Sequence, residues 1–475
     1  VQQWGAIGGQ FRSKIPKRHF LCDSAGGNGM ALAIAADASD LSVAWWKEPT
    51  KDQWFAWFAA CFGWMLDAFD FTIFLFVMVP IAKEFGVSVT AVASVLTLTL
   101  WLRLVGAIGS GWLADRVGRK TPLMLSVLWF SVCNFVAGFS PSFTFLFVVR
   151  AALGIGMGAE WPAGASLAME SWPARSRGLM GGVLHGAFPL GFALASAAYW
   201  LLFDAIGWRG LLWLGILPAI LCVYIRYYVK EPAVWVENRK RQREQKQEIR
   251  APLLTIFTPA LLGNTLTACW WVAGVLVVYY SVYGLFATWL QTEFQVDPAV
   301  IPTAVLLSNL AGFVSCWVWG GLADRIGRRW SNMIQAAIAF VVAPAYLLTH
   351  DVNWIIAGVV VQGFFGATLP DMASAYLTER FPTEVRSTAI GFCYHVGVVF
   401  GGFVPVIVSY LAVERHMGFA IPMLIATWAG CLSVIGALLI SPETMGKVFV
   451  SDLMSEDKHT PIAARALGPE VPIST

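Results

Sequence analysis

The chain has 475 residues, of which 57% are hydrophobic and only 13% charged, with 32 Lys and Arg against 29 Asp and Glu. A soluble domain is about one-quarter charged, so this composition excludes an ordinary soluble enzyme and points to a polytopic membrane bundle. The net charge of +3 says little until its location is considered and no nucleic-acid partner is expected, and the eight cysteines stand singly without a Cys-x-x-Cys pair, which gives no thiolate metal site and no disulfide framework.

In chain order, residues 1–53 read as a segment on the cytoplasmic side. Residues 1–29 contain Arg12, Lys14, Lys17 and Arg18 but no apolar run of the kind a cleaved signal needs. They read as a mis-assigned or disordered extension, and Met30 opens a more ordinary leader. Six apolar runs follow, at 54–81, 90–114, 121–139, 142–168, 177–201 and 208–229. Each is long enough to cross a bilayer, which takes about 20 residues. A polar linker at 230–265 comes next; its stretch 230–250 holds seven basic and four acidic residues and reads as a solvated, amphipathic tether. Six more runs lie at 266–290, 299–323, 330–349, 353–378, 386–412 and 418–440, and a polar, disordered tail occupies 441–475. The expected fold is therefore an all-α membrane protein of twelve spans in two six-helix bundles, 54–229 and 266–440.

The two halves repeat one another. GWLADRVGRK (111–120) recurs as GGLADRIGRR (320–329), and Asp115 and Asp324 are 324 − 115 = 209 residues apart. The same offset carries Glu170 to Glu379 and Arg177 to Arg386. An even number of spans per half gives both repeats the same direction through the membrane, with the pseudo-two-fold axis along its normal. Lys and Arg crowd the loops that carry the repeats, whereas the opposite loops hold only Lys83, Arg209 and Arg415. The positive-inside rule then makes both termini cytoplasmic in an inner (plasma) membrane protein.

The repeated Gly-x-Leu-Ala-Asp-Arg-x-Gly-Arg-Lys/Arg loop resembles the signature of the major facilitator superfamily, and Arg150 with Gly154, Gly156 and Gly158 is similar to its fourth-helix motif. A narrower set resembles the sialate/lactate proton symporters: GWMLDAFDF in span 1, Arg103 in span 2, RAALGIGMGAEWPAG in span 4 and YLTERFPTEVRSTAIGFCYHVG at span 11. The chain departs from the fungal lactate permeases at 279–292, which lack their Gln-Asp pair. The resemblance implies a proton-coupled carrier of a small organic acid (a monocarboxylate such as lactate or pyruvate, or a sialate-like acid) that works by alternating access as a monomer, without cofactor or metal.

The repeated loops read as a gate. Gly111 and Gly118, like Gly320 and Gly327, allow close approach and sharp turns. Asp115 and Asp324 end their spans where an acid pairs with a nearby Arg and meets a helix N-terminus. Arg116, Arg119, Arg325 and Arg328 supply the charge, and Glu170 with Arg177 and Glu379 with Arg386 are the expected partners at the next turns. The bonds hold that side shut when the carrier faces outward. The alternative reading is that these charges only fix topology.

Ionisable groups at membrane depth are functional candidates by default. Asp67 lies roughly 20 Å into span 1, Asp70 shares its face at i+3, and Arg103 lies roughly 20 Å into span 2. Arg150 sits about 12 Å into span 4. Either arginine could grip a substrate carboxylate while either aspartate carries the proton; the competing reading is a charge network that only pins spans 1, 2 and 4. Glu160 beside Pro162 and Asp371 beside Pro370 put acids next to helix breakers, and His185 and His395 lie at similar depths in spans 5 and 11. In span 7, Tyr279, Tyr280 and Tyr283 read as cavity wall and Trp289 as interfacial belt. A proton-driven exporter or antiporter and a non-transporting ligand sensor are the alternative functions. An enzyme is disfavoured, because no nucleophile, metal or cofactor motif is present.

Overall fold

The computed structural model describes residues 44–246, 249, 251–296, 300–447 and 449. The readings for 1–29 and for the tail beyond 449 fall outside the described residues. Residues 44–48 belong to a separate compact unit, and everything discussed below lies in the unit from Pro49 onward.

Helix after helix follows, with no strand among the described residues. Span 1 is Lys51–Phe85, started by a capping box in which Thr50 and Gln53 exchange side-chain and backbone bonds and ended by Gly86 in the left-handed region at φ 64°. Spans 2 to 4 are Val89–Val117, Lys120–Ala137 and Phe143–Ser171. Spans 5 and 6 run together from 174 to 228 as one of eleven membrane-crossing candidates. A straight helix of that length would reach about 83 Å, against a hydrocarbon core of about 30 Å. Gly207, at φ 62° and ψ −173°, breaks it in two and restores the expected twelve.

In the second half, span 7 begins at Pro259, not 266, because Pro259 occupies the first helical turn, where its missing N–H costs nothing. The span pauses at 284–285 and resumes as Phe286–Glu293. Trp289 is 1% exposed and packs in an apolar cluster with Phe286, Tyr346 and Met423, so its ring faces the protein interior and not the lipid expected of a belt residue. Spans 8 and 9 are Val300–Ile326 and Arg328–Leu347. Span 10 runs Val352–Phe365, loosens through a 3-10 turn at Leu369–Met372 and re-forms as Ala373–Arg380. The two proline sites therefore behave differently, since span 4 passes through Pro162 without a break. Spans 11 and 12 are built on Arg386–Gly402 and Ala420–Ile440.

The halves meet along two seams, span 2 against span 11 and span 5 against span 8. The repeat offset exchanges one seam for the other. The linker is more structured than a solvated tether: Ala233–Glu244 is helical and buries Asn238 and Gln242.

Candidate functional site

Two polar networks occupy the interior of the first half. Arg103 donates from Nη2 to Asp67 Oδ1 at 2.6 Å and to Met157 Sδ at 3.4 Å. Gly158 sets this depth, since a Cβ there would lie 1.9 Å from the Arg103 carbonyl oxygen. Deeper within the half, Asn134 donates to Asp70 Oδ1 at 3.0 Å and accepts from Arg150 Nη1 at 2.9 Å, and the Arg150 guanidinium lies 4.0 Å from the Phe74 ring. The pairing left open by spacing is thus Asp67 with Arg103 directly, and Asp70 with Arg150 through Asn134. Asp67 Oδ2, Arg103 Nε and Glu160 Oε2 are buried without a hydrogen-bond partner. Glu160 packs against Gly63 and Gly164, and both Asp67 and Arg103 lie within its electrostatic reach.

The second network stays inside the first bundle, whereas the first faces the other half. Arg103 lies within electrostatic reach of Tyr280, Tyr394 and His395. Where the halves meet, Trp64 and Trp161 contact each other at 4.3 Å between ring centroids with their planes tilted by 43°, and Trp161 meets Tyr394 at 5.0 Å. His185 lies 5.6 Å from Trp161 and lines a cavity of about 30 Å³ together with Tyr279, Tyr283 and Asn309. That volume holds a water molecule and no organic acid. His395 is occupied locally, with Nδ1 at 3.0 Å from the Gly391 carbonyl oxygen. Asp371 is fully buried in span 10, near Gln335 and Cys316 and outside the first-half networks.

On the basic side, the geometry repeated in the two loops departs from the expected pairing. Glu170 does not pair with Arg177: it binds Arg119 bidentately, at 2.7 and 3.0 Å, and Arg386 of the other half at 2.8 Å. Glu379 likewise binds Arg328 at 3.1 and 3.2 Å and Arg177 across the seam at 3.3 Å. The bonds cross because the loops of each half lie against the helix start of the other. Asp115 accepts from Arg119 and from the backbone N–H groups of Ser387 and Thr388, both at 3.0 Å, and from Thr388 Oγ1 at 2.7 Å. Asp324 accepts from Arg328 and from the N–H groups of Gly178 and Leu179, at 2.9 and 2.7 Å. Each aspartate therefore sits on the positive N-terminus of a helix from the opposite bundle. Gly111 and Gly320 admit this approach: a Cβ would come within 2.6 Å of Thr388 Cα and 2.8 Å of the Gly178 oxygen. Arg116 and Arg325 stand apart; Arg116 lies over the Trp112 ring and Arg325 is exposed.

Several residues escape a reading of the sequence. Asn134, Trp64, Trp161 and Tyr394 carry no spacing signature. Glu231 accepts from the N–H groups of Arg119 and Lys120, and Glu443 from those of Arg328 and Arg329. Gly118 (φ 120°) and Gly327 (φ 104°) make room for them, since a Cβ would clash with each carboxylate. Burial pushes the Glu231 carboxyl above its ordinary range, against the pull of its two donors. The signal for this pair was an acid beside a proline just past the last span of each half, but 443 − 231 = 212, so the constant offset misses it. Finally, Phe449 lies between Arg177 and Arg386, 3.9 and 4.2 Å from their guanidinium carbons.

The chain is 30% identical over 430 residues to a protein described as a probable 4-methylmuconolactone transporter of Cupriavidus pinatubonensis, covering 89% of this chain and 98% of that one. It is 24% identical to the sialic acid transporter NanX of Escherichia coli, over 86% and 98% of the two chains. The proton:xylose symporter XylE shares the fold, with a TM-score of 0.66 at 17% identity over 84% of this chain and 98% of that one. The family model of the Major Facilitator Superfamily matches residues 60–329 and 272–464. With its duplicated loops, crossed ion pairs and twelve spans, the chain belongs to the Major Facilitator Superfamily and is a multi-pass membrane transporter, not an enzyme.

Proposed function

We propose that the protein imports a small organic acid together with protons by alternating access, in the inner membrane, with its basic side and both termini cytoplasmic. The observation that carries this reading is the Asp67–Arg103 pair, buried where the halves meet and only partly satisfied. Asp67, Asp70 and Glu160 present three carboxylates to two guanidinium groups, Arg103 and Arg150. An uncompensated charge in such a place costs several kcal/mol, so one added proton balances the cluster. Protonating Asp67 frees Arg103 for a substrate carboxylate, whose bidentate geometry a guanidinium matches. Proton and acid thereby load in order. Asp70, Asn134 and Arg150 hold spans 1, 3 and 4 in register behind the site. The relatives named for 4-methylmuconolactone and sialic acid support a carboxylate-bearing substrate. The crossed ion pairs hold the cytoplasmic side shut while the site faces outward and part when it opens inward.

The test is uptake of labelled organic acids into proteoliposomes under an imposed pH gradient. An acidic exterior should stimulate accumulation. Asp67→Asn should lose that stimulation yet keep substrate exchange at equal pH, and Arg103→Ala should lose both. Stimulated uptake that survives Arg103→Ala would overturn the assignment, and expulsion of lipophilic cations in its place would favour an exporter.

A further inference from the structure

Spans 7 and 11 pack side by side in the second half, and glycines bring their backbones close. A Cβ on Gly397 would lie 2.9 Å from the Val272 carbonyl carbon and 3.1 Å from the Ala273 nitrogen, and one on Gly401 would lie 3.0 Å from Leu276 Cβ. Residue numbers rise together along the two spans, which therefore run in parallel with a register of 397 − 273 = 124. The same difference, 393 − 269 = 124, sets Cys393 opposite Cys269 one helical turn earlier. The Cys393 thiol donates to the Thr265 carbonyl oxygen at 3.8 Å, the oxygen that span 7 itself offers to the Cys269 N–H. Cys393 thus rests on the turn that carries Cys269, within hydrogen-bond reach of its thiol.

Both thiols are free; Cys393 is fully buried and Cys269 half-buried. The Arg380 guanidinium lies within electrostatic reach of both. Asn264 of span 7 holds it there, accepting from Nε with its side-chain oxygen at 2.7 Å and from Nη2 with its carbonyl oxygen at 2.9 Å. A cation beside a cysteine favours the thiolate, the form that reacts with oxidants. Close packing alone asks only for two small apolar side chains, and neither sulfur at both positions nor a charge beside them serves it.

We propose that Cys269 and Cys393 form a peroxide-responsive dithiol, which oxidation closes to a disulfide that staples span 7 to span 11 and slows transport. Hydrogen peroxide supplies the oxidising equivalents. One thiol attacks a peroxide oxygen; the O–O bond breaks, a sulfenic acid forms, and the thiol proton leaves with the departing hydroxide as water. The second thiol attacks that sulfur, forming the S–S bond and releasing a second water. Two thiols are oxidised, and one peroxide is reduced to two waters. Disulfides of this kind, facing the reducing side of a cell, are transient and redox-sensing. The brake follows from what the two spans carry. Tyr280 of span 7 and Tyr394 of span 11, the neighbour of Cys393, both lie within electrostatic reach of Arg103. Span 7 is interrupted at 284–285, so the stretch before the break can shift as one rod. The staple fixes that rod against span 11, and with it the wall that faces Arg103.

The full chain in proteoliposomes tests this. After exposure to hydrogen peroxide, free thiols are blocked, and the digested protein is searched by mass spectrometry for peptides joined through Cys269 and Cys393. The joined pair should form in the native protein and vanish on treatment with dithiothreitol. Uptake of labelled lactate, sialate or 4-methylmuconolactone, whichever the reduced protein accumulates best under a pH gradient, should fall several-fold on oxidation and recover on reduction. Cys269→Ala and Cys393→Ala, made separately in case one fails to fold, should transport as the reduced native protein does and keep that rate in peroxide. Absence of the joined peptides overturns the dithiol, and so does a loss of uptake that is equal in native protein and both variants. Joined peptides with undiminished uptake overturn the brake. Should the reduced protein accumulate none of the three probes, the organic-acid reading fails, and the joined peptides still decide whether the pair closes.

Discussion

Asn134 makes two hydrogen bonds that Asp70 and Arg150 do not make to each other, spanning the gap between carboxylate and guanidinium with one amide. Removing it leaves two buried charged groups short of a partner, and each such orphan costs about 1–3 kcal/mol. Asn134→Ala should therefore lower stability by roughly 2–4 kcal/mol, read as earlier thermal unfolding in detergent, while correctly folded protein keeps its proton dependence. Helical spacing puts Asp67 and Asp70 on one face and stops there, because an asparagine in an apolar run announces nothing about what it joins. Glu231 offers a second test at this scale. Its pKa in the fold lies above the ordinary 4.5, so the folded chain holds that proton more tightly than the unfolded chain does. Stability consequently falls as pH rises from 4.5 through the shifted value. Glu231→Gln should flatten that part of the profile, checked by melting temperatures measured from roughly pH 4 to 7.

Among the elements, what decides the pairing is which helix start each loop touches. The duplicated motif identified its members by number, and eight of them join in the crossed ion pairs: Asp115, Arg119, Glu170, Arg177, Asp324, Arg328, Glu379 and Arg386. It could not show that Glu170 reaches Arg386 and Glu379 reaches Arg177, since nearness along the chain favours the opposite pairs. A double-mutant cycle distinguishes the two arrangements. Glu170→Gln with Arg386→Gln should show coupling of about 1–3 kcal/mol, whereas Glu170→Gln with Arg177→Gln should be additive within about 0.5 kcal/mol. Unfolding midpoints or the fraction open on the basic side would report it. The linker helix and the breaks in spans 7 and 10 were beyond the reach of hydropathy, which measures how apolar a run is and not whether its backbone stays helical through Gly284 or Pro370.

For the molecule as a whole, hydropathy and the repeated motif made the architecture legible as an all-helical bundle of the Major Facilitator type among the described residues. The size of the cavity beside His185 was not legible, because side-chain volume, not sequence pattern, leaves about 30 Å³ there. Each seam is closed by an aspartate on a helix N-terminus, an interaction of typically 0.3–1 kcal/mol at exposed sites and up to ~2 kcal/mol when partly buried. Asp115→Asn alone should open the basic side modestly. Adding Asp324→Asn should open it by more, seen as faster alkylation of a cysteine introduced along the inner seam. Substrate affinity of the form open on the other side should stay nearly constant, and an equal loss in both would show that these aspartates do more than hold the door.

Phe449 has a practical bearing on work with this carrier. Its ring touches one guanidinium from each half, so moving the halves apart would break at least one of these contacts. An affinity handle or fluorescent fusion joined upstream of position 449 would rewire that clasp and bias the cycle it was meant to observe. A small dye at the same position would do the reverse, brightening or dimming with every stroke.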